Sequence, residues 1–174
     1  MVYLILILIH VVAVIIFLGN ITITPFWKSN AEKKKDRLLL LNAWEGIIRA
    51  DRLFTMPGVV LLLIFGIGGA LHGGFNLIST GWIFWSIILY VVSGAAFMIK
   101  VVPIQKKIVV VAKDESVFSW EAYHKLAKQW DIWSSVATIT PWIAPSSLDH
   151  QDLALGMKHF IFVEGPGIFQ GKFV

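Results

Sequence analysis

The first 27 residues contain no Asp, Glu, Lys or Arg, and residues 2–26 form an almost wholly apolar run. About 20 apolar residues in a helix, rising 1.5 Å each, span the roughly 30 Å of bilayer hydrocarbon. A run of this length therefore places the chain in a membrane. No basic segment precedes it and no small-residue cleavage site follows it, so it reads as a retained span rather than a cleaved signal peptide. Three further apolar segments follow, at about residues 54–71, 82–102 and 126–144, the last being the weakest. Each is expected to be helical, because backbone amides in lipid must find their partners within the segment and no barrel-like alternation occurs. Composition agrees: 57% of residues are hydrophobic and 15% charged, against about 45–50% and 25% in soluble proteins. The expected fold class is all-α, a polytopic membrane protein with four transmembrane helices in an antiparallel bundle. One membrane domain is expected over residues 1–145, and an extramembrane tail over 146–174.

The basic residues orient this bundle. Lys28, Lys33, Lys34, Lys35, Arg37, Arg49 and Arg52 lie between the first two segments, and Lys106, Lys107, Lys113, Lys125 and Lys128 between the last two. The connection "HGGFNLIST", residues 72–80, has neither Lys nor Arg. Cytoplasmic loops carry the excess of basic residues, so the two basic connections are expected inside, with both termini and the His72 loop outside. Tryptophans fit two interfacial belts, with Trp27, Trp44, Trp120 and Trp130 near the inner boundary and Trp82, Trp85 and Trp142 near the outer one. The net charge of +4 thus serves topology, and no nucleic-acid partner is expected.

The first basic connection has structure of its own. Ser29 and Glu32 have capping-box spacing, and "LLLLNAWEGIIRADRLF" then repeats apolar residues at helical intervals, with Glu45 and Arg49 placed i,i+4 as an ion pair. This predicts an amphipathic cytoplasmic helix, lying on the inner surface or extending a membrane helix. Pro57 is expected in the first turn of the second span, where it does least damage, and Pro103 is expected to bend the inner end of the third. Gly66, Gly68 and Gly69 make a small face on the second span and residues 93–96 another on the third; both permit close helix packing and leave room for a flat cofactor.

His10 is the residue that physics singles out. An ionisable side chain within a span faces the bundle interior and is a candidate for function. A neutral imidazole is also the usual protein ligand of b-type haem iron, given a dry pocket and a partner for its second nitrogen. The alternative is a hydrogen bond across helices, for instance to Ser93 or Tyr90. Were hydrocarbon to begin near Tyr3, His10 would lie about 10 Å deep. His72 would then sit one to two turns nearer the outer surface, as a second ligand reached by helix tilt or as an ordinary interfacial histidine. His124, His150 and His159 fall outside the spans.

The remaining polar groups are few. Lys100 can snorkel to the inner surface, and Asp131 is expected to pair with Lys100 or Arg52. No row of carboxylates, pair of broken helices or inverted repeat points to a transporter. The chain has no cysteine, which excludes thiolate metal sites and thiol catalysis. It shows no phosphate loop, dinucleotide fingerprint, zinc-protease motif or serine triad.

Three stretches, "LIHVVAVIIFLGNITITPFW", "RLFTMPGVVLLLIFGI" and "VVPIQKKI", resemble a family of small, uncharacterised bacterial predicted integral membrane proteins with four helices, over about residues 1–144. More distantly, the first two resemble the HemJ-type protoporphyrinogen oxidases and the copper-resistance D family. Members of those groups begin with a histidine-bearing span and later show a basic residue ahead of a proline-opened helix. The resemblance implies the bacterial cytoplasmic membrane, and it implies that His10 is a haem b ligand. It is silent on substrate. The chain departs from these relatives at Phe17, where tryptophan is usual, at Asn20, and in its tail after Pro145.

Two readings follow. In one, His10 binds haem b and the protein carries electrons or acts as an oxidase with a respiratory partner. In the other, the chain is a noncatalytic accessory subunit of a larger membrane complex or a homo-oligomer. The tail is expected either to lie on a partner subunit through "KHFIFV" or to be an atypical terminus without a role.

Overall fold

A computed structural model describes residues 1–146, with side-chain surroundings through residue 140. The tail segment "KHFIFV", with His150 and His159, lies outside the described residues, as does the 146–174 unit apart from its first residue. Among the described residues all regular structure is helical. The helices are α1 (Val2–Lys34), α2 (Arg37–Ala50), α3 (Met56–His72), α4 (Gly81–Ala96), α5 (Val102–Lys113) and α6 (Trp120–Ser146). The junctions α2–α3 and α4–α5 are single wide π turns, Asp51–Thr55 and Phe97–Val101, so residues 37–72 and 81–113 each run as one long helix.

Prolines explain both π turns. A proline ring clashes with the carbonyl four residues earlier and lacks the N–H that would bond it. Pro57 and Pro103 each enter the second position of the helix after a π turn. There the bonding shifts by one residue: the Met56 N–H donates to the Asp51 carbonyl, and the Val102 N–H to the Phe97 carbonyl. The extra residue per turn makes room for the ring. Pro57 thus stands in the first turn of α3, as expected, while residues 37–72 run on as one long helix.

Among the described residues three helices are long and apolar enough to cross a membrane: Val2–Lys34, Arg37–His72 and Gly81–Lys113, with mean hydropathies of 3.0, 2.1 and 2.2 over an 18-residue stretch of each. The expected fourth span is helical but does not rank with them, because Glu121, Lys125, Lys128 and Asp131 recur through the first half of α6. Leu4, Ile5, Leu8, Val12, Ile15 and Ile16 of α1 are exposed in the isolated chain, as lipid-facing positions are.

Helix α1 packs most extensively on α3, and α4 on α6; at the basic end α2 joins α1 to α5, and α5 packs on α6. The principal core lies at that end. Leu40, Trp44 and Ile47 of α2 meet Ile104 and Ile108 of α5 and Tyr123, Ala127 and Trp130 of α6. Trp44 and Trp130, expected as interfacial anchors, are instead buried there, ring against ring at 5.2 Å and 88°. Burial drives packing where water is the alternative. Between helices in hydrocarbon that drive is absent, and small residues and polar contacts do the joining.

Polar contacts tie α1 to α6. Lys28, 8% exposed, donates to both oxygens of Asp131 at 2.8 and 2.9 Å and lies 3.4 Å from Glu32. Asp131 therefore pairs with neither Lys100 nor Arg52; Lys100 instead lies over the Trp133 ring at 5.3 Å. The Tyr123 hydroxyl donates to Glu32 at 2.6 Å and accepts from the Trp44 indole at 3.3 Å. Burial, and then the Glu32 carboxylate, raise that phenol well above its ordinary range. Ser29 and Glu32 do not cap a helix, since α1 continues through both and ends at Lys35, with φ 50°. The true cap of α2 is Asp36, whose carboxylate accepts from the Leu38 and Leu39 amides at 2.8 and 3.0 Å. The Glu45–Arg49 pair forms at 3.5 Å, and Lys113 joins Glu45 at 3.0 Å.

Candidate ligand cavity around His10

Helix α1 brings His10 against the flat side of α3. The imidazole Nδ1 lies 3.1 Å from the Leu62 carbonyl. A carbonyl only accepts, so Nδ1 carries the proton and Nε2 keeps its lone pair. The Leu62 bond thus fills the role that Ser93 or Tyr90 was expected to play. Those two are engaged elsewhere: the Ser93 hydroxyl donates to the Ala137 carbonyl and the Tyr90 hydroxyl to the Val59 carbonyl, the latter at 3.3 Å.

Gly66 makes the approach possible. A Cβ at this position would stand 3.0 Å from His10 Cε1 and 3.1 Å from Nδ1, so any side chain would push the ring. The same helix face meets Phe17 at Gly58 and Ile7 at Gly69. Of the two uses expected for the glycines, close packing is therefore realised, with His10 itself as one of the packed groups.

Beside His10 lies a cavity of about 380 Å³, bounded by α1, α3 and α4 and including Ile7, Gly66, Phe75, Trp82 and Tyr90 in its wall. It falls within the usual size range of small-molecule sites, about 300–1,000 Å³, which combine apolar walls with a few placed polar groups. Here those groups are His10, Ser86, Tyr3 and Tyr90. His72 is not in the wall; it ends α3 as an exposed residue. His124 is exposed on α6 beside Trp120 and Tyr123. Among the described residues no group of three His, Asp or Glu converges as a metal site.

A second polar cluster, deeper toward the basic end, escaped sequence reasoning. Asp51 opens the first π turn and is 6% exposed. Its Oδ1 accepts from the Asn20 amide at 3.2 Å and the Thr55 hydroxyl at 2.8 Å, and its Oδ2 from the Gln105 amide at 2.8 Å. Asn20 also donates to Thr55 at 2.8 Å. Asp51 sits beside Arg52 in what reads as an ordinary charged stretch before a span. The signal that could have revealed it is the proline six residues on, which demands a widened turn and rotates the preceding side chains.

A family model for predicted integral membrane proteins, DUF2269, matches residues 4–143. The chain belongs to this family. The match takes in α1 through α5 and most of α6, including His10, both π turns and the Asp51 cluster. No curated protein and no solved structure matches the chain.

Proposed function

We propose that this DUF2269 protein binds haem b through His10 and takes part in electron transfer or a membrane oxidase activity in the bacterial cytoplasmic membrane. The observation that carries the reading is the 3.1 Å contact between His10 Nδ1 and the Leu62 carbonyl, beside the cavity. Nδ1–H is held by the Leu62 carbonyl, leaving Nε2 as a free donor atom in the wall of an apolar, aromatic-lined cavity. Iron-ligating histidines characteristically hand their second ring N–H to such an acceptor, which fixes the ring and raises its basicity. His10 would therefore suit the role of an imidazole ligand to the haem iron. Haem would supply one-electron redox chemistry at this depth. The chain's own contributions would be the Nε2 ligand, the space that Gly66 leaves for the ring, and the exclusion of water by Phe75, Trp82 and Ile7. His72, exposed and outside the wall, would become a second ligand only after α3 moves.

The test is an absorption spectrum of the chain purified in mild detergent from haem-replete cells. A Soret band that shifts on reduction, with resolved α and β bands, is expected; His10→Ala should lose it while still inserting. A colourless wild-type protein would overturn the haem reading.

One observation favours the other reading. The exposed aliphatic row of α1 offers a long surface that a partner helix could cover as well as lipid. A colourless protein co-purifying in fixed proportion with larger membrane subunits would point to an accessory role.

A further inference from the structure

The Asp51 cluster borders a second cavity, of about 420 Å³, that shares Tyr90 as a wall with the His10 cavity. Like the outer cavity it is mainly apolar, but beside Asp51 its wall includes the polar side chains of Thr24, Thr55, Ser93, Gln105, Ser134 and Thr138. Trp130 lines it too, and its buried indole N–H has no hydrogen-bond partner among the described residues.

Asp51 has no counter-charge. None of the ion pairs among the described residues includes it. Lys28 of α1 is committed to Asp131 of α6 and to Glu32. Arg52, the next residue, is exposed, as are Lys106 and Lys107 of α5. Lys100, in the second π turn, lies over Trp133. Of the α4 residues in the wall, Tyr90, Ser93 and Gly94, Tyr90 alone is titratable, and α3 adds no titratable group. What Asp51 does have is three neutral donors on its two oxygens. A buried charge without a partner is disfavoured, whereas donors aimed at a carboxylate favour its charged form. The two influences oppose each other at this one group. A cavity of this size holds water where two or more polar groups can bind it, and Asp51, Gln105 and Thr138 are among the polar groups in this wall.

We propose that Asp51 is a proton-exchanging carboxyl, loaded and unloaded through water in the inner cavity. On loading, a hydronium ion gives its proton to Oδ2 and leaves as water. Release reverses this, with an O–H bond alone forming and breaking and no electron moving. The two π turns serve the site. One presents Asp51 inward, and the other adds Phe97, Met98 and Val101 to the cavity wall. The proposal does not depend on haem at His10.

The test uses the full chain in lipid nanodiscs. Dicyclohexylcarbodiimide, an apolar reagent that attacks protonated carboxyls, is applied between about pH 5 and 9 and the adduct is mapped by peptide mass spectrometry. Attachment at Asp51 is expected to fall at least about tenfold across that range, since above its midpoint the protonated fraction drops tenfold per pH unit. A carboxyl C=O infrared band with the same pH profile should accompany it and be absent in Asp51→Asn. The main readouts come from the wild-type chain, so a poorly folding variant leaves the test intact. Labelling that is absent or unchanged with pH, with a pH-invariant infrared spectrum, would show Asp51 to be a fixed structural staple and would overturn the proposal.

Discussion

His10 and Gly66 act as one unit. The histidine is visible in the sequence because a lone ionisable group in an apolar run stands out, and its inward orientation follows from the energetics of hydrocarbon. That Leu62 would hold it, rather than Ser93 or Tyr90, depends on how α1 is rotated against α3, which no spacing within either helix records. The glycine contacts predict a graded series. Gly66→Ala would press on a ring pinned by a hydrogen bond, and Gly58→Ala on Phe17 Cβ at 3.3 Å, next to the main chain. Each is expected to cost about 1–3 kcal/mol of overpacking. Gly69→Ala meets Ile7 Cδ1 at 2.9 Å, the free end of a flexible chain, and should cost less. Gly19→Ala meets nothing within 4 Å and should be neutral or better. Thermal unfolding in detergent gives the order; Gly66→Ala behaving like Gly19→Ala would refute the packing account.

Helix boundaries were the least legible elements, and each miss has a local cause. Ser29 and Glu32 satisfy the capping spacing, yet a helix interior also places residues i and i+3 side by side. The Tyr123 and Lys28 contacts of Glu32 keep α1 running past them. The chain turns only at Lys35, and the next helix starts on the Asp36 carboxylate. Asp36→Ala removes both accepted bonds and is expected to lower stability by about 1 kcal/mol, read as a lower unfolding midpoint. Ser29→Ala should leave the midpoint unchanged, whereas the capping-box reading requires the reverse. The prolines carried more than their placement showed. Pro57 stands in the first turn of α3 as expected and Pro103 opens α5, but each follows a π turn that absorbs the ring without ending the long helix. That adjustment is what carries Asp51 inward, and so the deeper cluster was hidden together with the turn that makes it.

For the molecule as a whole, the expected orientation leads to a test that the absence of cysteine simplifies. Lys33, Lys34, Lys35 and Arg37 cluster about the turn between α1 and α2, and Lys113 ends α5 where its loop to α6 begins, while residues 72–80 carry no Lys or Arg. In intact cells, a membrane-impermeant maleimide should label Ser79→Cys and spare Ser116→Cys, with both labelled after lysis. The opposite pattern would invert the topology.

Membrane residence and the three most apolar spans follow from the sequence, because length and apolarity act along a single helix and need no partner, whereas the fourth span expected at about residues 126–144 does not rank with them. Helical structure follows too, since lipid leaves the backbone no other way to bond. Tertiary structure alone decided that Trp44 and Trp130 would build a core, that Lys28 would take Asp131, and that Asn20, Thr55 and Gln105 would meet around Asp51. Apart from Thr55, four positions from Asp51, each of these joins residues 30 or more positions apart, and which faces meet depends on helix rotation and on the wide turns at two prolines.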